Sequence, residues 1–221
     1  LNKIVARVRR EVISLYLEGE ELLSFGSYLL VLGTLIAAIG ETGVYQEEIN
    51  TKLIRDGNAV QAVGNTFQGI GRIKIGEKPE ERMNVLGIVG CFVQAGGNTT
   101  NSLAANEEIE SPSPAVTRIN ALGSTIQSMG AALEAAGVER KEERSLNDVE
   151  AFGNTLISIG AILDAIGILA AEEKRVQKRI LLATGGWLEF LGAVIEAYVI
   201  QVNRKESVEK KNHERGNSFF W

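Results

Sequence analysis

Gly153-Asn154-Thr155-Leu156-Ile157-Ser158-Ile159-Gly160-Ala161-Ile162-Leu163-Asp164-Ala165-Ile166-Gly167 places a glycine at every seventh residue, with large aliphatic side chains at steps of three and four in between. Those steps are the period of a helix face, not of a strand. The spacing recurs along the chain at Gly26, Gly33 and Gly40; Gly57, Gly64 and Gly71; Gly90 and Gly97; Gly123, Gly130 and Gly137; and Gly185 and Gly192. The chain therefore reads as six copies of one helical unit of about 32 residues. The fold expected is all-α: six long antiparallel glycine-seamed helices, one per repeat, closed as a bundle or stacked as an open helical array. The copies are centred on 26–40, 57–71, 90–104, 123–137, 153–167 and 185–199 within a single helical repeat domain over 1–205. A charged tail, 206–221, ends in aromatics.

Glycine inside a helix costs about 1 kcal/mol relative to alanine. The twelve at the first two positions of each set (Gly26, Gly33, Gly57, Gly64, Gly90, Gly97, Gly123, Gly130, Gly153, Gly160, Gly185 and Gly192) thus represent about 12 kcal/mol, the scale of a whole domain's stability. What offsets this is close approach: without a side chain, a neighbouring backbone comes nearer and gains dispersion contacts along the seam. The third glycines, Gly40, Gly71, Gly137 and Gly167, precede polar or charged stretches. They are expected to end their helices in the left-handed conformation. Where Ala104 and Val199 replace that glycine, the helices should run further. Pro79 suits the first turn of the third helix, Ser113-Pro114 the start of the fourth, and Asn147 with Glu150 a capping box for the fifth.

With the first glycine of each set at position zero, positions three and six are large and apolar, as in Leu29, Leu32, Val63, Met129, Ile159 and Leu191. This broad arc is expected to face neighbouring helices. Position four is mostly polar: Gln61, Gln68, Gln94, Gln127, Glu134, Asp164, Glu189 and Glu196. It is expected to form a narrow, solvent-exposed back, which makes its carboxylates surface groups rather than a site.

A net charge of −5 argues against nucleic-acid binding, which needs a basic face. One cysteine, Cys91, suits a buried small hydrophobe, and one histidine, His213, leaves no imidazole set for a metal. No phosphate-binding loop, dinucleotide fingerprint or nucleophile elbow is present. No catalytic, metal or cofactor-binding residue is therefore assigned, and no enzyme activity is expected. Asn98-Thr99-Thr100 matches a glycosylation acceptor, but Gly-Asn-Thr recurs at 64–66 and 153–155, which favours a packing role. Leu22 to Gly40 carries no charge and is long enough to span a membrane; burial within a bundle is the reading preferred. No signal-peptide layout opens the sequence, so a cytoplasmic protein or one assembled at a cell or spore surface is expected. The terminal Phe219, Phe220 and Trp221 should dock, on their own bundle or on another subunit.

Gly57-Asn58-Ala59-Val60-Gln61-Ala62-Val63-Gly64 and the stretch from Gly153 to Gly167 resemble the repetitive glycine-heptad helical proteins of Bacillus-type bacteria, over residues 21 to 200. That resemblance implies no catalytic residues. The function expected is a non-enzymatic structural protein that self-associates through its glycine-rich helices into a homo-oligomer or filament. The alternative is a membrane-active protein inserting segment 22–40.

Overall fold

The computed structural model describes residues 2–77, 83–138 and 146–217; for 2–17, 172 and 210–217 it describes the backbone alone. Among the described residues the chain forms six α-helices: α1 (Asn2–Thr42), α2 (Glu47–Gly76), α3 (Val85–Glu110), α4 (Pro114–Gly137), α5 (Leu146–Leu169) and α6 (Arg175–Asn217). A 3-10 turn, Glu172–Lys174, precedes α6. Each helix packs against its sequence neighbours, and α1 also packs against α6. The array is therefore closed: six antiparallel helices form a ring around a common axis.

The glycines set the register of three hairpins. In α1 and α2, Gly26 faces Gly64 and Gly33 faces Gly57; in α3 and α4, Gly90 faces Gly130 and Gly97 faces Gly123; in α5 and α6, Gly153 faces Gly192 and Gly160 faces Gly185. The approach is backbone to backbone: a β-carbon added at Gly97 would lie 2.5 Å from the Gln127 amide nitrogen, and one at Gly33 2.7 Å from the Gly57 carbonyl oxygen. Space for a methyl group does not exist there, which is why alanine, the better helix former, does not replace glycine.

The third glycines do not stop helices by turning left-handed. Among the described residues only Gly43, at φ +68°, has a positive φ. Gly40, Gly71 and Gly137 instead continue the seam, against the carbonyl of Asn50, the carbonyl of Gly19 and the amide of Gly87. The helices lacking that glycine do run on, α3 to Glu110 and α6 to Asn217. Ser113 caps α4, accepting a hydrogen bond from the Val116 amide, with Pro114 in the first turn. Helix α3 is capped by Asn84, whose side chain accepts from the Gly87 amide. Pro79 lies outside the described residues, and so do Phe219, Phe220 and Trp221. Helix α5 already includes Leu146, so Asn147 is not its cap, and Glu150 is engaged elsewhere.

The apolar arc faces the opposite way from expectation. Positions two and six point outward: Phe25, Tyr28, Leu32, Val63, Phe92, Leu122, Met129, Ile159, Ile166 and Leu191 are all more than a third exposed, while position three, as in Leu29, Leu156 and Leu188, is half-buried. Positions one and four point inward. Gln61, Gln68, Gln94, Gln127, Glu134 and Glu196 are at most 1% exposed, and Asp164 and Glu189 are 5% and 4% exposed. The supposed polar back is the inside of the ring. The reason is the seam: once glycine faces glycine within a hairpin, the position-four side chain lies over the partner's glycine. Gln68 packs its stem over Gly26, Gln94 over Gly130, Glu134 over Gly90 and Glu189 over Gly160. Close helix approach and an inward polar side chain are one arrangement. The largest buried apolar cluster described is correspondingly small, Leu30, Ala131, Ile157 and Ala193.

Candidate functional site

Alternate helices meet through their side chains at the axis although their backbones do not touch. Near one end, Gln127 on α4 donates through Nε2 to Glu189 Oε2 on α6 at 2.7 Å and to Gln61 Oε1 on α2 at 3.3 Å. Asn101 on α3 donates to Gln127 Oε1 at 3.4 Å. Toward the other end, Arg72 on α2 reaches Glu150 on α5 at 3.0 Å and Glu134 on α4 and Glu196 on α6 at 3.4 Å each. Gln94 on α3 donates to Glu134, and Cys91 lies buried beside the same groups. The thiol is buried, as its residue type suggested, but among charges rather than aliphatic carbon. These two transverse clusters lie about 16 Å apart at 1.5 Å per helical residue, from Gln61 to Arg72.

A recess enters from each end. One, of about 150 Å³, touches all six helices and reaches Glu41, Gln61, Gln127, Asp164 and Glu189. The other, of about 240 Å³, reaches Glu20, Arg72, Glu150, Asn203 and Arg204. Between the two clusters lie Asn65 on α2 and Asn98 on α3, both fully buried, with neither amide group hydrogen-bonded within the protein. An unsatisfied buried polar group costs about 1–3 kcal/mol, so these asparagines have a cause other than stability. Facing them across the lumen is the apolar cluster of Leu30, Ala131, Ile157 and Ala193.

The carboxylates at the first end have been given room. Glycines at 185 and 186 accommodate them: a β-carbon at Gly185 would strike the Asp164 carboxylate, and one at Gly186 the Glu41 carboxylate. Gly185 belongs to the heptad, whereas Gly186 does not; its β-carbon would meet both the Glu41 carboxylate and the α1 backbone at Ala38. Along the axis the balance is strongly acidic. Glu20, Glu41, Glu134, Glu150, Asp164, Glu189 and Glu196 stand against Arg72, with Lys178 and Arg204 at the two mouths. Among the described residues no group of three or more His, Cys, Asp or Glu is placed to hold a metal ion.

The recurring Gly-Asn-Thr now has a geometric account. Glycine lies on the seam, asparagine turns inward, and threonine turns outward with its hydroxyl donated to its own helix: Thr66 to the Ala62 carbonyl, Thr99 to Ala95 and Thr155 to Ala151, at 2.7 to 2.8 Å. Asn98, the potential glycosylation acceptor, is fully buried in mid-helix.

Charge is confined to the two ends of the ring's outer surface. Residues 22–40 of α1 and 83–106 spanning α3 hold no charged residue; within 57–73, 119–138, 149–171 and 180–203 the charged residues are Arg72, Glu134, Glu150, Asp164, Glu189 and Glu196, all inward. Beyond these limits come exposed pairs such as Lys74 with Glu18 at 2.7 Å and Arg55 with Asp56 at 2.8 Å. Three helical segments, Glu18–Thr42, Leu146–Leu169 and Arg175–Glu209, are long and apolar enough to cross a membrane by length and composition. Segment 22–40 is thus one of several of this kind.

No curated protein matches the chain, and no solved structure matches it. Residues 21–197, which hold all six glycine sets and both axial clusters, match DUF6944, a family of unknown function, and the chain belongs to that family.

Proposed function

We propose that this protein is a non-enzymatic, membrane-embedded helical barrel that carries an acid-rich polar axis through a lipid bilayer. The carrying observation is the sense of its amphipathicity: the charged residues of the central belt turn inward, and the outward side chains there are mostly apolar. Exposed apolar atoms alone decide little, because about 55–60% of an ordinary protein surface is apolar. A continuous ring without one outward charge is different, and in water it would be a large adhesive patch. Lipid is the solvent in which that surface is stable, provided that backbone polar groups are satisfied within each helix. The threonine hydroxyls of the Gly-Asn-Thr motif meet the same condition, each bonding its own helix. The charge-free stretch of α1 from Leu22 to Gly40 is about 28 Å long, close to the roughly 30 Å of a bilayer's hydrocarbon core; on α2 the exposed Arg55–Asp56 pair lies level with Ala37 and marks where the belt shared by the helices ends on that side.

Self-association remains the competing use of the same surface, since other copies of the chain would cover it equally. The seam glycines, however, are occupied within one chain, so close glycine packing does not supply the contact between subunits. Flotation with phosphatidylcholine–phosphatidylglycerol vesicles, followed by an alkaline carbonate wash, separates the readings. The membrane reading expects protein that floats and resists the wash. Protein that stays in the aqueous phase as a large detergent-free assembly overturns it in favour of the self-associating one.

A further inference from the structure

We infer that the axis conducts protons between the two end recesses and excludes larger hydrated cations, an inference that rests on the membrane reading. Three observations converge. First, the groups on the axis are those that take up and release protons: Glu41 on α1, Asp164 on α5 and Glu189 on α6 at one recess, and Glu134, Glu150 and Glu196 around Arg72 at the other. Asp164 and Glu189 are both buried and line the same recess. Like charges held close together disfavour ionising both, so neighbouring buried carboxyl groups are suited to carry a proton between them.

Second, hydrogen bonds run inward from both ends and stop short of each other. From the first recess they pass from Glu189 through Gln127 to Gln61 and Asn101. From the second they pass from Arg72 through Glu134 to Gln94. On α3 the interval from Asn101 to Gln94 is about 10 Å. Asn98 lies within it, and Asn65 lies within the matching interval of α2. These are the two fully buried asparagines with no hydrogen-bond partner in the protein. Free amide donors and acceptors in a polar gap are what hold buried water, and water held in single file passes protons.

Third, neither recess extends to this level, where Leu30, Ala131, Ile157 and Ala193 fill the other half of the lumen. A hydrated sodium or potassium ion would have to displace packed side chains, whereas a proton moves by exchange along hydrogen bonds. The remaining titratable groups facing the path are Glu20 on α1, Cys91 and Glu108 on α3, and Lys178 and Arg204 at the mouths. Each carboxyl group that accepts a proton from one side releases it to the other, so the chain returns to its starting state and no co-reactant is consumed.

The test uses the full chain reconstituted in phosphatidylcholine–phosphatidylglycerol vesicles loaded with a pH-sensitive dye, with a potassium diffusion potential imposed by valinomycin. Flotation of the same vesicles reports insertion separately. Inserted protein should raise proton flux at least tenfold over empty vesicles, with no rise in sodium flux. Asn65→Leu and Asn98→Leu should each lower that flux at least tenfold while flotation is unchanged; Glu189→Gln, nearly isosteric, gives the same readout if the leucine variants fail to insert. Inserted wild-type protein with no proton flux, flux unchanged in inserted variants, or sodium flux equal to proton flux would each overturn the inference. Failure to float would instead overturn the membrane reading beneath it.

Discussion

Helix α5 shows two surfaces on one short segment. Outward, Ile159, Ile162 and Ile166 are 46%, 42% and 52% exposed; inward, Asn154 and Asp164 are 0% and 5% exposed. In a water-soluble helix the assignment would be reversed. The difference teaches that the seam, not hydrophobic burial, orients these helices. Glycine facing glycine fixes which side meets the hairpin partner, and the polar position four follows inward because its stem lies over the opposite glycine. What surrounds the ring is then whatever solvent tolerates the remaining face.

The strongest way to break this comparison is to force the seam apart. At Gly97 a β-carbon would lie 2.5 Å from the Gln127 nitrogen and 2.7 Å from the Gly123 carbonyl oxygen. Gly97→Leu should cost more than about 4 kcal/mol, the range reached by severe overpacking. Thermal unfolding followed by circular dichroism in detergent micelles measures it; a melting temperature equal to wild type would show that the seam does not hold the ring.

The next effect tests the axis. Arg72 stands alone among Glu134, Glu150 and Glu196, so Arg72→Met leaves three buried carboxyl groups without their cation and should destabilise by about 3–5 kcal/mol. Combining it with Glu134→Gln, Glu150→Gln and Glu196→Gln should recover most of that loss, because neutral amides need no counter-charge. A quadruple variant no more stable than the single one would show that Arg72 acts through packing. Outward, Ile159→Lys separates the solvents: about 2.5–3.5 kcal/mol if position 159 lies in the bilayer, within about 0.5 kcal/mol if it lies in water. The fraction of protein recovered in carbonate-washed vesicles reads the difference.

The helical repeat was legible because glycine at intervals of seven has one helical interpretation, and six sets state six helices. Ser113-Pro114 marked the start of α4 for an equally local reason, a side-chain acceptor followed by a residue suited to the first turn. The direction of the faces was not legible in periodicity. A period of 3.6 separates two faces without saying which meets solvent, and Glu189 or Glu196 on an apolar helix reads most simply as a surface charge. The signal that could have located the axis was present in the sequence: each copy carries a long stretch with few charged residues, and those few share position one or four. The Arg72 cluster was less accessible, since it joins four helices through a ring closure that no local pattern specifies.

The smallest effect is the sharpest control, because Gly96 and Gly97 are adjacent residues on opposite sides of the same comparison. A β-carbon at Gly96 would meet nothing within 4 Å, and the residue lies on the exposed face of α3. Gly96→Ala should therefore stabilise the protein by up to about 1 kcal/mol, the helix-propensity difference with no packing penalty. Gly97→Ala has the same propensity gain but places its methyl group against the α4 backbone, so its sign should reverse. Chemical denaturation of the two variants in one detergent checks this. If both glycines respond alike, the heptad glycines were chosen for flexibility and not for contact, and the link between close approach and the inward polar face loses its cause.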